Sequence, residues 1–189
     1  GVGKTSTVEQ YQTQAPNVWL VTATPACSST GALLKRVAQT LGMRSSGTVD
    51  HLETAIIERM RDTRGLLVID EAQHLTHRAL DGIRSIHDAS GVGLALMGNE
   101  IVYSQLTGGT RSMAFAQLFS RVAKRVRLTR VRDQDVLAIT EAWGIQDDES
   151  RQLCLSIGRR PGALRGLSQT LRLASMFAAG SGSETPQLE

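Results

Sequence analysis

Seven residues at the start of the chain, Gly1-Val2-Gly3-Lys4-Thr5-Ser6-Thr7, have the types and spacing to hold phosphate. They match the closing half of the pattern G-x-x-x-x-G-K-[ST]. Glycines let backbone N–H groups turn inward onto phosphate oxygens. The helix that starts there adds the positive end of its dipole to the same anion. On this reading Gly1, Val2, Gly3, Lys4, Thr5 and Ser6 bind ATP; Lys4 reaches the β and γ phosphates and assists catalysis, and the Thr5 hydroxyl holds Mg2+. A glycine turn ahead of a chance lysine would look the same over so short a match, so the assignment needs a second motif downstream.

That motif is Leu66-Leu67-Val68-Ile69-Asp70-Glu71, four aliphatic residues running into two carboxylates. Open α/β sheets place ligands at the C-terminal edge of their strands. Asp70 there would orient Mg2+ and its water, and Glu71 would polarise the attacking water as general base. A buried strand ending in an exposed acidic turn is the plain alternative; the order of the two motifs favours the nucleotide. A third apolar run, Val92-Gly93-Leu94-Ala95-Leu96-Met97-Gly98-Asn99, ends in Asn99, placed to sense the γ-phosphate or position the water.

Elements that would position these groups can be read in order. A helix is expected over 4–14 behind the loop, ended by Pro16-Asn17, and a buried strand over Val18–Thr24, stopped by Pro25. Ser29 or Thr30 caps a helix to about Leu41 with Leu33, Leu34, Val37, Ala38 and Leu41 inward. Asp50 and Glu53 have capping-box spacing for a helix that buries Leu52, Ile56, Ile57 and Met60 and ends near Gly65. Helices are expected over 77–89 and 112–124, the latter turning Ala114, Phe115, Leu118, Phe119 and Val122 inward, and a last short strand over Val126–Thr129. From Asp133 strands vanish, and three helices follow over 134–143, 148–157 and 162–178. Gly180 onward, with Ser181, Gly182, Ser183 and Pro186, is expected to be a flexible tail. The strand that feeds such a phosphate loop, and the first glycine of the pattern, lie outside these residues, so the numbering is expected to start inside the motif of a longer protein.

Composition narrows the class. The 189 residues are 41% apolar and 21% charged, ordinary for a soluble globular protein. No apolar run approaches the ~20 residues that span a bilayer. Cys27 and Cys154 are far apart, without metal-ligand spacing, and fit reduced thiols in a cytosolic protein. His51, His74, His77 and His87 show no metal-ligand pattern. The net charge of +3 is compatible with nucleic acid, while 4% aromatics argue against a base-stacking platform.

Alternating strands and helices followed by a small helical region resemble the layout of AAA+ ATPases: an α/β P-loop parallel sheet with flanking helices, then an all-α lid. GVGKT resembles the end of the Walker A motif, LLVIDEAQ resembles Walker B, and Asn99 in LALMGN resembles sensor 1. Arg121, in Leu118-Phe119-Ser120-Arg121, resembles an arginine finger supplied in trans, and Arg165, in Gly162-Ala163-Leu164-Arg165, the sensor 2 arginine. The resemblance implies a nucleotide-binding core over 1–131, a lid over 132–179 and a tail over 180–189. More closely, GNEIVYSQLTGG, FAQLFSRVAKRVRL and LRGLSQTLRLASMFA are similar to segments of the target-DNA activator (Mu B) family of phage Mu transposition. That family resemblance implies an ATP-dependent, sequence-nonspecific DNA-binding ATPase of the bacterial host cytoplasm, stimulated by DNA and by oligomerisation. It implies assembly on double-stranded DNA as a helical filament, activation of a transposase, and no membrane. Family members carry an N-terminal helix-turn-helix region, which this sequence does not include.

An arginine from a neighbouring subunit can contribute ~10³–10⁵ in rate to phosphoryl transfer, which would tie turnover at Arg121 to assembly. Candidates for contact with the DNA backbone are Lys35, Arg36, Arg44 and Arg111; each also reads as a solvated surface residue. A P-loop ATPase that energises assembly of a secretion or envelope complex is the alternative function. It predicts a membrane or peptidoglycan partner and no affinity for DNA. A signalling switch with negligible turnover is a third, against which Glu71 and Arg121 both argue.

Overall fold

A computed structural model of the chain describes residues 2–99, 102, 120–128 and 130–180. These group into two compact units, Thr5–Arg125 and a second made of Val126 onward with Gly1–Lys4.

The first unit is built on a three-stranded parallel sheet in the order β1 (Val18–Thr22), β2 (Leu66–Asp70), β3 (Gly93–Leu96). Leu66 aligns with Val18 on one side and with Gly93 on the other. Central β2 is buried from Leu67 to Asp70, as a continuous aliphatic run covered on both faces must be. Around the sheet lie α1 (Lys4–Gln14), α2 (Thr30–Thr40), α3 (Val49–Met60) and α4 (His77–Ser90). Leu33, Leu34, Val37, Ala38, Ile56, Met60, Leu80, Ile83 and Ile86 close the core with Leu67 and Ile69. Helix α1 buries no side chain. The expected inward faces of α2 and α3 are the observed ones, with Ile57 partly buried against the core.

Several expectations are corrected at element ends. Helix α3 is capped by Thr48, whose hydroxyl accepts the His51 N–H, and not by Asp50. Thr48 stands two residues earlier than the capping-box pair, and the same buried face of Leu52, Ile56 and Met60 is served by either start. The helix stops at Met60, well short of Gly65. The first strand ends at Thr22, and the third runs only over Gly93–Leu96. Beyond Leu96 one more ladder bond forms, Met97 N–H to Ile69 O at 2.8 Å; the regular pattern is then left, as Met97 O accepts from Ala72 N–H at 2.9 Å while Glu71 N–H turns to the Asp70 carboxylate. Residues 120–124 are not helical, and Val122 is exposed; residues 112–119 of that expected helix, with Ala114, Phe115, Leu118 and Phe119, lie outside the described residues. Residues 126–128 form no strand. A strand exists through a ladder alongside it, and here Val126 and Leu128 are 68% and 51% exposed.

In the second unit α5 (Asp133–Ala142), α6 (Asp148–Gly158) and α7 (Ala163–Gly180) form a helical group. Its core is Val136, Ile145, Cys154, Leu167 and Leu171, with Val131, Ile139, Trp143, Leu155, Ile157 and Leu164 packed against it. The expected tail beyond Gly180 lies outside the described residues. Among the described residues no helix is long and apolar enough to cross a membrane.

Candidate nucleotide site

The two motifs meet at the C-terminal end of β2. Thr5, in the first turn of α1, donates its hydroxyl to Asp70 Oδ2 at 2.5 Å. The other oxygen of that carboxylate, Oδ1, accepts the Glu71 N–H at 2.8 Å. Asp70 is 2% exposed, so its charge is held at the sheet edge by hydrogen bonds that satisfy both oxygens. Gly3, just before α1, has φ of +79°, a backbone angle that side-chain-bearing L residues seldom adopt. Val2, Gly3 and Lys4 are half-buried and Ser6 is exposed. Gly1 lies outside the described residues.

Glu71 leaves the strand through a left-handed turn, φ 54° and ψ 36°. For a residue with a Cβ this conformation costs roughly 1–2 kcal/mol, so the surroundings must hold it. They do so from several directions. Ala23 N–H bonds Asp70 O at 2.8 Å, Ala72 N–H is tied to Met97 O, and His74 N–H returns to Glu71 O at 3.0 Å. The turn redirects the chain at the point where the Glu71 side chain emerges, and that side chain is partly exposed. Its Oε2 accepts a hydrogen bond from the Gln73 amide, Nε2 donating. Gln73 Oε1 in turn accepts the Asn99 backbone N–H at 3.4 Å. Glu71, Gln73 and Asn99 therefore form a connected polar line across the ends of β2 and β3.

Sequence reasoning quoted Gln73 within LLVIDEAQ but assigned it no role. The available signal was a long amide two residues after the acidic pair, between the buried Ala72 and Leu75.

Arg121 is placed elsewhere. Its Nε donates to Asp88 Oδ1 at 2.8 Å, and Asp88 Oδ2 also takes Arg84 Nη1 at 2.6 Å. Partial desolvation works against ionisation of Asp88, yet the hydrogen bonds from Arg121 and Arg84 hold its carboxyl below the usual value. Arg84, hydrogen-bonded first to Asp81 and then to Asp88, is raised. Arg165 is exposed in the first turn of α7. Lys35 and Arg36 are exposed on α2 and Arg44 is exposed just after it. Arg111 lies outside the described residues.

The donors gathered at the end of β2 are a hydroxyl and a carboxylate. Hard oxygens of this kind suit Mg2+, which keeps several waters and takes phosphate oxygens besides one or two protein ligands. The residues present therefore fit that ion. Among the described residues no group of three or more His, Cys, Asp and Glu side chains could hold a metal without such help.

Residues 1–106, more than half of the chain, match the AAA domain family. The chain belongs to that family. Residues 120–188 of this AAA protein match the C-terminal part of the Mu B transposition protein. It is 43% identical over 183 residues to the ATP-dependent target DNA activator B of Escherichia phage Mu, covering 96% of this chain and 59% of that protein. The protein of the same name from Escherichia phage D108 is likewise 43% identical over 183 residues, with the same coverage. The Mu-like prophage FluMu DNA transposition protein B of Haemophilus influenzae is 39% identical over 176 residues, covering 90% of this chain and 60% of the relative. The chain thus spans about three-fifths of the length of the curated relatives it matches. The P-loop AAA fold, expected from the motif order, is the fold observed: a parallel sheet with flanking helices and a helical C-terminal region.

Proposed function

We propose that this AAA protein is an ATPase that binds double-stranded DNA without sequence preference, assembles on it as a homo-oligomeric filament and activates a transposase. The observation that carries the enzymatic part is the Thr5–Asp70 hydrogen bond, which joins the end of the phosphate loop to the acidic strand end beside Glu71. The activator role rests on the relatives' names, ATP-dependent target DNA activator B, together with their 43% identity.

In this reading the Gly1–Ser6 backbone and Lys4 bind the triphosphate, and Thr5 and Asp70 hold Mg2+. The ion would neutralise charge on the β and γ oxygens. Glu71 takes a proton from water as the water oxygen bonds to the γ-phosphorus, and the bond from that phosphorus to the β-bridging oxygen breaks to give ADP and phosphate. Asn99 sits at the neighbouring strand end, where it would sense the γ-phosphate. Arg165 would contact nucleotide from the helical unit. Arg121 would act in trans, exchanging Asp88 for a neighbour's phosphate on assembly, so that filament formation and turnover are linked. Lys35, Arg36, Arg44 and Arg111 are the proposed DNA-backbone contacts. The proposed division is a core over 1–131, a lid over 132–179 and a tail beyond, working in the host cytoplasm.

The test is ATP hydrolysis with and without double-stranded DNA over a salt series, with filaments sought by electron microscopy. Expected are DNA-stimulated turnover, loss of stimulation as salt rises, and ATP-dependent filaments. ATP turnover indifferent to DNA, with no filaments, would remove the activator role while leaving an ATPase.

A further inference from the structure

We propose that Gln73 is a positioning residue for ATP hydrolysis: its amide clamps the Glu71 carboxylate and ties it to the segment just beyond β3 at Asn99. The inference rests on the ATPase reading above and gives a role to the last residue of the LLVIDEAQ stretch, to which no role was assigned.

Three observations meet at this side chain. First, its Nε2 donates to Glu71 Oε2, and its Oε1 accepts the Asn99 backbone N–H at 3.4 Å. The carboxylate only accepts and the backbone N–H only donates, so the two partners fix which end of the amide points where. A carboxylate in that place would lose the donor, and a hydrocarbon would lose both contacts. Second, Gly98 is built around it. A Cβ added at Gly98 would stand 2.5 Å from Gln73 Oε1 and 2.5 Å from Val102 Cγ2, closer than real Cβ atoms come. The segment before Asn99 therefore lies directly against the amide, and a larger residue at position 98 would push the Gln73 amide out of place. Third, Glu71 sits in a left-handed turn, so the direction of its side chain depends on tertiary ties and not on the strand's regular geometry.

The chemistry explains what such a clamp does. A general base must present one oxygen to the water it deprotonates, within hydrogen-bond reach. A free glutamate carboxylate samples several rotamers and rotates about its terminal torsion. With Oε2 engaged by Gln73, the carboxylate plane is set, and Oε1 is the oxygen left to take the proton. Because the same amide accepts from Asn99, a shift of the segment just beyond β3 on phosphate binding reaches the base through one side chain. Gln73 touches neither nucleotide nor water in this scheme; it acts through Glu71.

The experiment uses the full chain with ATP and DNA, comparing Gln73→Ala and Gln73→Glu with the parent and with Glu71→Gln. Steady-state kcat and KM are measured together with the Kd of a fluorescent ATP analogue. Loss of an outer-shell partner of a catalytic group lowers activity ~10–100-fold. That is the expected fall in kcat for Gln73→Ala, with KM and the analogue's Kd within about twofold of the parent's, since ground-state binding is not its task. Gln73→Glu is close to isosteric and keeps the acceptor for Asn99, so it fills the space under Gly98; it lacks the donor and sets a like charge beside Glu71. It should fall at least as far as Gln73→Ala. A Gln73→Glu protein with parental kcat would show that only shape matters and would overturn the proposal. So would a Gln73→Ala effect confined to KM and Kd, or none at all. A parent that binds the analogue but turns over no faster than Glu71→Gln would sink the ATPase reading itself, and this inference with it.

Discussion

The end of β2 and the helical group α5–α7 handle charge in opposite ways. At the end of β2 a carboxylate is 2% exposed and every oxygen is committed, Asp70 to Thr5 and to the Glu71 backbone. In the helical group the fixed charges stay in water: the Asp133–Arg159 pair is 2.7 Å long, with side chains 54% and 66% exposed. Both regions have aliphatic cores, so the contrast is not one of hydrophobicity. Burying an ionised group is costly unless it is hydrogen-bonded or meets a counter-charge. A fold retains that cost where something is gained, and here the gain would be a cation and a triphosphate. The buried acid at the strand end is thus set apart from the solvated Asp133–Arg159 pair of the helical group.

The largest effect should come from the strand end. Glu71→Gln keeps the side chain's size and the possibility of pairing with Gln73 but removes the base. Turnover should fall ~10²–10⁴-fold, with nucleotide binding retained. Single-turnover hydrolysis and equilibrium binding separate the two. A variant that binds less tightly but hydrolyses at the parental rate would place Glu71 in binding, and the contrast between the regions would lose its chemical meaning.

Next come the two cores, where the regions should behave alike. Leu67 in β2 and Leu167 in α7 are both fully buried. Leu67→Ala and Leu167→Ala should each destabilise by about 2–5 kcal/mol, read from urea unfolding with the m-value monitored. A much smaller loss for Leu167→Ala would mean that the helical group tolerates a cavity by collapsing around it, and its core would then be softer than the sheet's.

Smaller still is a single cap. Thr76 accepts the Ala79 N–H at 3.3 Å at the start of α4, and its hydroxyl donates to Ser28 O at 3.0 Å. Thr76→Ala should cost about 1.5 kcal/mol, in the upper half of the usual ~0.5–2 kcal/mol range because a second contact is lost as well. Thermal melting at neutral pH measures it.

Much of this architecture could be read from residue order, and the exceptions have physical causes. The run Leu66–Asp70 announces a central strand because aliphatic residues without alternation suit burial on both faces. The amphipathic spacing of α2 and α3 fixes their inner faces whatever the exact cap, which is why misplacing the start of α3 at Asp50 in place of Thr48 left its core residues unchanged. Residues 126–128 have strand-forming types, but a strand needs a ladder partner, and local sequence carries no information about one. At the site, the pairing of Thr5 with Asp70 follows from motif order. The left-handed turn at Glu71 does not, because it is imposed by bonds such as Ala72 N–H to Met97 O, made across the sheet. The role of Gln73 was hidden for the same reason: its partners are fixed by that turn and by the segment just beyond β3. The Arg121–Asp88 pair joins positions 33 residues apart, and periodicity within one helix cannot reveal it.

The smallest effects belong to the exposed charges of the helical group, and pH separates two kinds among them. Asp147 caps α6, and the Ser150 backbone N–H, 2.7 Å from Oδ1, holds its carboxyl below the usual value. A depressed folded-state pKa means stability that is present above the unfolded value, about 3.9 for Asp, and lost as pH falls through the folded one. Asp147→Asn should therefore melt like the parent near neutrality, since both side chains cap well, and should lose less on acidification below about pH 4. A parallel decline of the two proteins would show that the cap is not what titrates. Arg159→Ala, which breaks the Asp133 pair, should produce no resolvable change in Tm at neutral pH and about 0.15 M salt, because exposed pairs are screened and their partners return to water. A drop as large as that of Thr76→Ala would give this surface pair a structural role and erase the line drawn between the buried acid and the exposed ones.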